Sequence, residues 1–255
     1  MISIRRLCKR FDAKIVLDEL DLDVYRGESL VVIGGSGTGK SVLIKNIIGL
    51  LKPDSGVIKV DGVNVAELET RGWRKFRRKF GMLFQGAALF DSMTVAENVA
   101  FPLVEHTSKS RAEIAVLAEE KLSMVGLAGI SGKRPSDLSG GMRKRVGLAR
   151  ALAMEPAIML YDEPTTGLDP ITGDAIDRLI VKLRDQLHMT SITITHDMAS
   201  AFRIASRIAM LYKGKIIQVD SPERIKTTDN SIVREFVKDR SRLATERGRR
   251  PGTPP

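Results

Sequence analysis

Short apolar runs of strand length punctuate the first sixty residues. Leu20-Asp21-Leu22-Asp23-Val24 alternates as a half-exposed strand does, and Ser29-Leu30-Val31-Val32-Ile33 is a continuous apolar run of the buried type. Val57-Ile58-Lys59-Val60 stops at the turn pair Asp61-Gly62. Between residues 87 and 138 the period lengthens. Ile114, Leu117, Ala118, Leu122 and Val125 fall on one helical face, with Arg111, Glu113, Glu119 and Glu120 largely off it, which predicts an inserted helical lobe. Strand-like runs return at 157–161 and 191–195, separated by a helix-length segment over 170–187, the spacing of a βαβ unit and a parallel sheet. Residues 207–212 and 215–219, joined at Lys213-Gly214, predict a hairpin, and Ser221-Pro222-Glu223 reads as a helix start. Past Lys238 order is expected to fade: Arg240, Arg242, Arg247, Arg249 and Arg250 with Pro251, Pro254 and Pro255 have no apolar period. The expected division is a core of residues 1–86 and 150–238, a helical lobe over 87–149, and a basic, disordered tail over 239–255. No internal repeat is evident.

Composition narrows the class without naming a partner. The chain has 255 residues, 43% hydrophobic and 28% charged, as a globular protein with a sizeable core has. No apolar run approaches the roughly 18 to 20 residues that cross a bilayer. Met1-Ile2-Ser3-Ile4-Arg5 runs directly into strand-like sequence with no apolar signal region. The single cysteine, Cys8, excludes an intramolecular disulfide, and a reducing cytoplasm is the simplest expectation. Lys and Arg exceed Asp and Glu by 41 to 31, a balance that suits a nucleotide, a nucleic acid or an anionic membrane face equally.

Chemistry first enters at Gly34-Gly35-Ser36-Gly37-Thr38-Gly39-Lys40-Ser41, which fits G-x-x-x-x-G-K-[ST] and follows the apolar run 29–33. Glycines let the N–H groups of residues 35–41 turn around anionic oxygens, and the helix that follows points its positive end at them. Lys40 then reaches the β- and γ-phosphates, and Ser41 offers a hydroxyl to Mg²⁺. The second element is Ile158-Met159-Leu160-Tyr161-Asp162-Glu163, an apolar strand that delivers two adjacent carboxylates at its C-terminal end. Asp162 would hold Mg²⁺, directly or through water. Glu163, pointing the other way, would polarise the water that attacks the γ-phosphate.

With these motifs in this order, residues 1 to 235 resemble the ABC-type nucleotide-binding subunits. The resemblance implies an α/β P-loop NTPase core with an N-terminal antiparallel β subdomain and an inserted α-helical lobe, and ATP with Mg²⁺ as cofactors. It also implies that Leu138-Ser139-Gly140-Gly141-Met142 is the signature loop, which clamps the γ-phosphate bound to a partner subunit in a head-to-tail homodimer. Ser139 is a suitable N-cap, and Met142, Val146, Ala149 and Ala153 recur at helical spacing behind it. By the same resemblance Gln85 is the hinge glutamine that senses the γ-phosphate and Mg²⁺. Gly167-Leu168-Asp169 crosses the dimer interface, and His196 is the switch histidine. Phe11 stands where the family stacks an aromatic ring on adenine, with a core phenylalanine as the rival reading.

Met142 departs from the glutamine that most relatives carry there. Together with the stretch from Met82 to Thr107 it resembles the ATPase of MCE-type lipid transporters, the Mla phospholipid system among them. That resemblance implies transmembrane permease subunits, MCE substrate-binding and accessory subunits, and a peripheral place on the cytoplasmic face of a bacterial inner membrane. Leu89, Phe90, Phe101 and Leu103 would form the groove for a permease helix, or else pack in the core. The runner-up is the ATPase of an amino-acid or other small-solute importer. A non-transport ABC ATPase acting on nucleic acid fits less well, because one P-loop and one cysteine leave no tandem cassette or zinc module. Arg71, Arg74, Lys75, Arg77, Arg78 and Lys79 interleave with Trp73 and Phe76. On one helix Trp73, Phe76 and Phe80 make an inward stripe and leave the cations either solvated or against anionic headgroups. His106 and His188 show no ligand constellation, and no metal beyond Mg²⁺ is indicated.

Overall fold

The computed structural model describes residues 1–248, with side chains described to residue 240. The chain divides into two compact units, one built from residues up to 67 together with those from 193 onward, the other from Leu68–Ile192.

The first unit opens with an antiparallel pair, β1 (Ile2–Phe11) and β2 (Lys14–Val24), in which Ile2 faces Val24 and Phe11 faces Lys14. The expected alternation is met: Ile2, Ile4, Leu20, Leu22 and Val24 are buried while Asp21 is exposed. β3 (Ser29–Ile33) is buried at all five positions and leads through a glycine-rich loop into α1 (Lys40–Ile47). β4 (Ser55–Val60) and β5 (Val63–Asn64) complete an antiparallel sheet of order β2-β1-β4-β5.

In the second unit the basic run forms α2 (Thr70–Arg77), and β6 (Phe80–Leu83) follows at once. The single helix expected to carry Trp73, Phe76 and Phe80 is therefore broken. Phe80 opens a strand, yet the aromatic contact survives, with Trp73 edge-on to Phe76 at 5.3 Å and Phe76 to Phe80 at 5.1 Å. Within that strand Gly81 packs so tightly that a Cβ there would stand 2.5 Å from the Ala151 carbonyl. The helical lobe follows with α3 (Val95–His106), α4 (Arg111–Met124) and α5 (Gly140–Leu152). On α4 the predicted apolar face holds: Ile114, Ala118 and Leu122 are buried. β7 (Ile158–Asp162) pairs in parallel with β6, Phe80 opposite Ile158, and α6 (Pro170–Leu187) starts under the cap of Asp169. β8 (Thr190–Thr195), buried throughout, ends the second unit with its first half and opens the return to the first with its second.

There α7 (Met198–Ile204) precedes β9 (Arg207–Tyr212), which pairs in parallel with β3, Leu30 opposite Arg207. β10 (Lys215–Asp220) closes the predicted hairpin, and α8 (Pro222–Lys226) begins at Ser221, whose hydroxyl accepts from the Arg224 N–H. The last element corrects an expectation. α9 runs Ser231–Gly248, so residues 239–248, placed in the tail, continue a helix. Arg, Leu, Ala and Glu are good helix formers, and the first proline stands only at position 251. The tail beyond 248 lies outside the described residues.

Two capping boxes start the lobe. The Thr94 N–H donates to Glu97 Oε2 at 2.7 Å and the Ser110 N–H to Glu113 Oε2 at 2.8 Å, each hydroxyl accepting from the glutamate's own N–H in return. The Thr94 N–H, then its hydroxyl, hold the Glu97 carboxyl below the usual range, and the Ser110 hydroxyl, then its N–H, do so for Glu113. A carboxyl lowered on folding adds stability that is present above the unfolded value of 4.5 and is lost as pH falls through the folded values. The melting-temperature gap between wild type and Glu97→Ala/Glu113→Ala is accordingly expected to narrow below about pH 4.5. A gap that stays constant down to pH 3 would refute the assignment.

Candidate functional site

In the first unit the phosphate-loop motif turns between β3 and α1. Gly39 is the N-cap of α1 at φ 103, a left-handed conformation that a side chain would strain, and a Cβ there would lie 2.9 Å from the Val16 carbonyl oxygen. At position 39 this cradle accepts only glycine without strain. Thr38 Oγ1 donates to the Gly35 carbonyl at 2.9 Å, and Lys40 Nζ donates to the carbonyls of Gly34 and Gly35 at 2.9 and 2.8 Å. The ammonium, 7% exposed, is thus folded over the loop and needs only a small swing to meet an anion seated in it. No acid occupies the first turn of α1 to compete for its positive end. Ser41 is the second residue of that helix. Phe11, at the end of β1, is 43% exposed and so lies outside the core, with Lys9 Nζ 5.5 Å from its ring centroid. His196 follows β8, half-buried.

In the second unit β7 delivers Asp162, 8% exposed, and the chain then turns at Glu163, which adopts φ 51. Its carboxylate Oε2 accepts from Thr166 Oγ1 at 3.0 Å. Gln85 stands exposed just past β6. Ser139 caps α5, its hydroxyl accepting from the Met142 N–H at 3.3 Å, so the N–H groups that follow aim outward beside an exposed serine. Gly140 and Gly141 are closely covered: a Cβ at the first would lie 3.2 Å from Leu168 Cδ2 and at the second 2.5 Å from Thr172 Cγ2. The loop over 138–142 and the segment Gly167-Leu168-Asp169 therefore abut within this chain. Asp169 accepts from the N–H groups of Ile171 and Thr172 at 3.1 and 3.0 Å, and the Thr172 side chain leads in holding its carboxyl below the usual range. It has a structural task beside any interfacial one.

Two cations absent from the sequence-based set also stand here. Lys144, in the interior of α5, donates to the carbonyl of Gln85 and, at 3.3 Å, to that of Glu163. Burial lowers the pKa of its ammonium, while the carboxylates of Asp162 and Glu163 pull it back up. Arg150 donates to the carbonyls of Ala88 and Ala87 at 2.7 and 2.6 Å, and burial lowers its pKa too. Lys144 sits between the apolar positions 142 and 146 of a buried helix, where charge is not expected, so pattern alone passes over it.

Beside them a cavity of about 490 Å³ is lined by Met82, Phe84, Phe90, Phe101 and Pro102, with Arg77, Arg78 and Arg150 at its polar wall. Phe90 is 41% exposed and stacks at 4.8 Å on Phe101, whereas Leu103 is core. Of the four predicted groove residues, these two phenylalanines line it. Among the described residues no group of three or more His, Cys, Asp or Glu could hold a metal ion. A hydroxyl such as that of Ser41 and a single carboxylate such as that of Asp162 suit Mg²⁺, which keeps water and nucleotide oxygens as its remaining ligands.

The family model described as ABC transporter matches residues 17–166. The probable ribonucleotide transport ATP-binding protein Mkl of Mycobacterium leprae is 41% identical over 239 residues, 94% of this chain and 69% of that protein. The intermembrane phospholipid transport system ATP-binding protein MlaF of Haemophilus influenzae is 37% identical over 241 residues, 94% of this chain and 91% of that protein. Among solved structures, a dimeric ATP-binding cassette in a post-hydrolysis state bound to ADP and Pi aligns with a TM-score of 0.79 at 33% identity, covering 87% of this chain and 99% of that one.

The cradle makes a direct prediction. Gly39→Ala is expected to cost about 1–3 kcal/mol of stability, from a strained left-handed alanine crowded by a carbonyl, and to weaken nucleotide binding at least as much as it lowers stability. Urea unfolding and nucleotide titration measure both. Unchanged binding would show that the loop relaxes without harm.

Proposed function

The chain belongs to the ABC transporter ATPases, and on that premise we propose that it powers a phospholipid transporter of MCE type. It is an ATP-hydrolysing subunit that uses ATP with Mg²⁺. In the proposed arrangement two copies work head to tail beneath transmembrane permease subunits and MCE substrate-binding and accessory subunits, on the cytoplasmic face of a bacterial inner membrane. The lipid assignment rests on one observation, the resemblance to MlaF along 91% of that protein. Met142, at the position where most of the family has glutamine, supports it. A ribonucleotide or other small-solute transporter is the second reading, favoured by the name of Mkl.

The roles proposed for the residues rest on the motifs, and the local geometry within each unit supports them. The loop over 34–41 seats the triphosphate through backbone N–H groups, Phe11 stacks on adenine, and Lys40 leaves its carbonyl partners for the β- and γ-phosphates. Ser41, Asp162 and Gln85 hold Mg²⁺, which supplies charge neutralisation at the phosphate oxygens. Glu163, its carboxylate fixed by Thr166, accepts the proton of the attacking water, and His196 orients that water against the γ-phosphate. The exposed cap at Ser139 serves the γ-phosphate held by the partner subunit, with Leu168 packed behind it. The apolar cavity beside Phe90 and Phe101 suits a permease helix, and the exposed cations of α2 suit anionic headgroups. Nucleic acid is not needed to explain them.

Isolating the membrane complex tests the reading of substrate: copurified MCE subunits and ATPase activity stimulated by phospholipid are expected. A complex without an MCE subunit, stimulated instead by a ribonucleotide, would establish the second reading. The residue roles separate by kinetics. Lys40→Ala is expected to weaken ATP binding tenfold or more, whereas Glu163→Gln keeps binding within a few-fold and slows turnover by roughly 10² to 10⁴. Near-normal turnover in Glu163→Gln would remove Glu163 from the role of base.

A further inference from the structure

We propose that Lys144 is a positioning residue for ATP hydrolysis, its ammonium tying the carbonyl of Gln85 to that of Glu163 and thereby setting where the Glu163 carboxylate stands. The inference rests on Glu163 being the general base.

Glu163 adopts φ 51, a left-handed conformation that a residue with a side chain keeps only when its surroundings hold it. Three contacts do so. Thr166 Oγ1 holds the carboxylate at 3.0 Å, the Thr166 N–H donates to the Glu163 carbonyl at 3.3 Å, and Lys144 Nζ donates to the same carbonyl from the other element, also at 3.3 Å. Lys144 is 5% exposed, and a cation so deprived of water is retained where its donors have fixed acceptors. Its other acceptor is the carbonyl of Gln85, so one ammonium spans two segments that are 78 residues apart in the chain.

The neighbouring positions of α5 fasten the same segment. Lys144, Gly147 and Arg150 recur every three residues along one face of the helix. A Cβ at Gly147 would stand 3.0 Å from Leu83 Cδ1 and 3.3 Å from the Ala87 carbonyl, so the helix lies directly against residues 83–88. Arg150 then holds the carbonyls of Ala87 and Ala88, which themselves adopt φ 60 and 48. The helix that begins at the signature loop is thus bonded both to the turn after Gln85 and to the peptide of Glu163. A shift of residues 85–88 moves the ammonium, and with it the base.

The test uses the full-length chain and four variants, Lys144→Met, Lys144→Arg, Glu163→Gln and the Lys144→Met/Glu163→Gln pair. Methionine keeps length and apolar bulk but loses the donors; arginine keeps donors and charge. Lys144→Met is expected to lower kcat roughly ten- to a hundredfold while ATP affinity stays within about threefold, and Lys144→Arg to restore much of kcat. In the Glu163→Gln background the same change is expected to cost less than about twofold, because its effect passes through the side chain already removed. A kcat for Lys144→Met within twofold of wild type overturns the proposal, as does an undiminished loss in the double variant or a loss that falls equally on ATP affinity. Should Lys144→Met fail to fold, Lys144→Gln takes its place in the same comparisons. Full turnover in Glu163→Gln alone would overturn the role of Glu163 and leave a distinct signature from failure at Lys144.

Discussion

Of the three lysines buried among the described residues, Lys121 pairs with the carboxylates of Glu120 and Glu155, whereas Lys40 and Lys144 both donate to backbone carbonyls. Lys40 bonds to Gly34 and Gly35, Lys144 to Gln85 and Glu163. A buried ammonium without such partners would lose its proton or pull the local fold apart, so each of these two lysines obliges the chain to present carbonyls to it. The consequence differs at the two places. In the role proposed for Lys40 its carbonyl partners are exchanged for phosphate oxygens, which are better acceptors because they are charged. Those around Lys144 belong to peptides that no ligand replaces, and that lysine serves as a fixed fastening.

Burial of these cations requires rigid frames, and each frame is a strand buried on both faces. β3 places the phosphate loop and β7 places Asp162 and Glu163, all five residues of each strand being buried. A chain leaving such a strand must turn sharply to stay at the surface, and the turns are left-handed: Gly39 at φ 103 in one, Glu163 at φ 51 in the other. Glycine takes that conformation freely. Glutamate does not, and its retention there implies that the carboxylate is needed more than the strain is harmful.

The same contrast explains what could be read from sequence. The phosphate loop, the acid pair at the end of β7 and the caps at Ser139 and Ser221 are legible because each depends on residue type at a short fixed spacing. The hairpin at Lys213-Gly214 and the helix over 170–187 are legible for the same local reason. Lys144 and Arg150 are not, since their acceptors lie 19 and 59 residues from Lys144 and 62 and 63 from Arg150, and are backbone atoms, which carry no residue signature. The break between Arg77 and Phe80 escapes because helical spacing of aromatic residues is preserved across it by packing. The extension of α9 escapes because a run of arginines reads as a tail until the local helix propensity of its neighbours is weighed against it.

Substrate identity is the least legible property, and the physical reason lies in where the chemistry resides. Every residue proposed to serve ATP would meet the same triphosphate whatever the transporter carries, so two relatives named for ribonucleotide and phospholipid transport can match this chain at 41% and 37% identity. Discrimination has to come from surfaces that meet other subunits. The cavity beside Phe90 and Phe101, lined by apolar side chains together with Arg77, Arg78 and Arg150, is the surface we propose for that role. Arg150 also holds Ala87 and Ala88, so whatever presses on that lining bears on the same segment that Lys144 joins to Glu163. A partner seated in the cavity therefore needs no contact with ATP to influence its hydrolysis. On the roles proposed for Lys144 and Glu163, it needs only to displace residues 85–88, and the face of α5 formed by Lys144, Gly147 and Arg150 would carry that displacement to the Glu163 carboxylate.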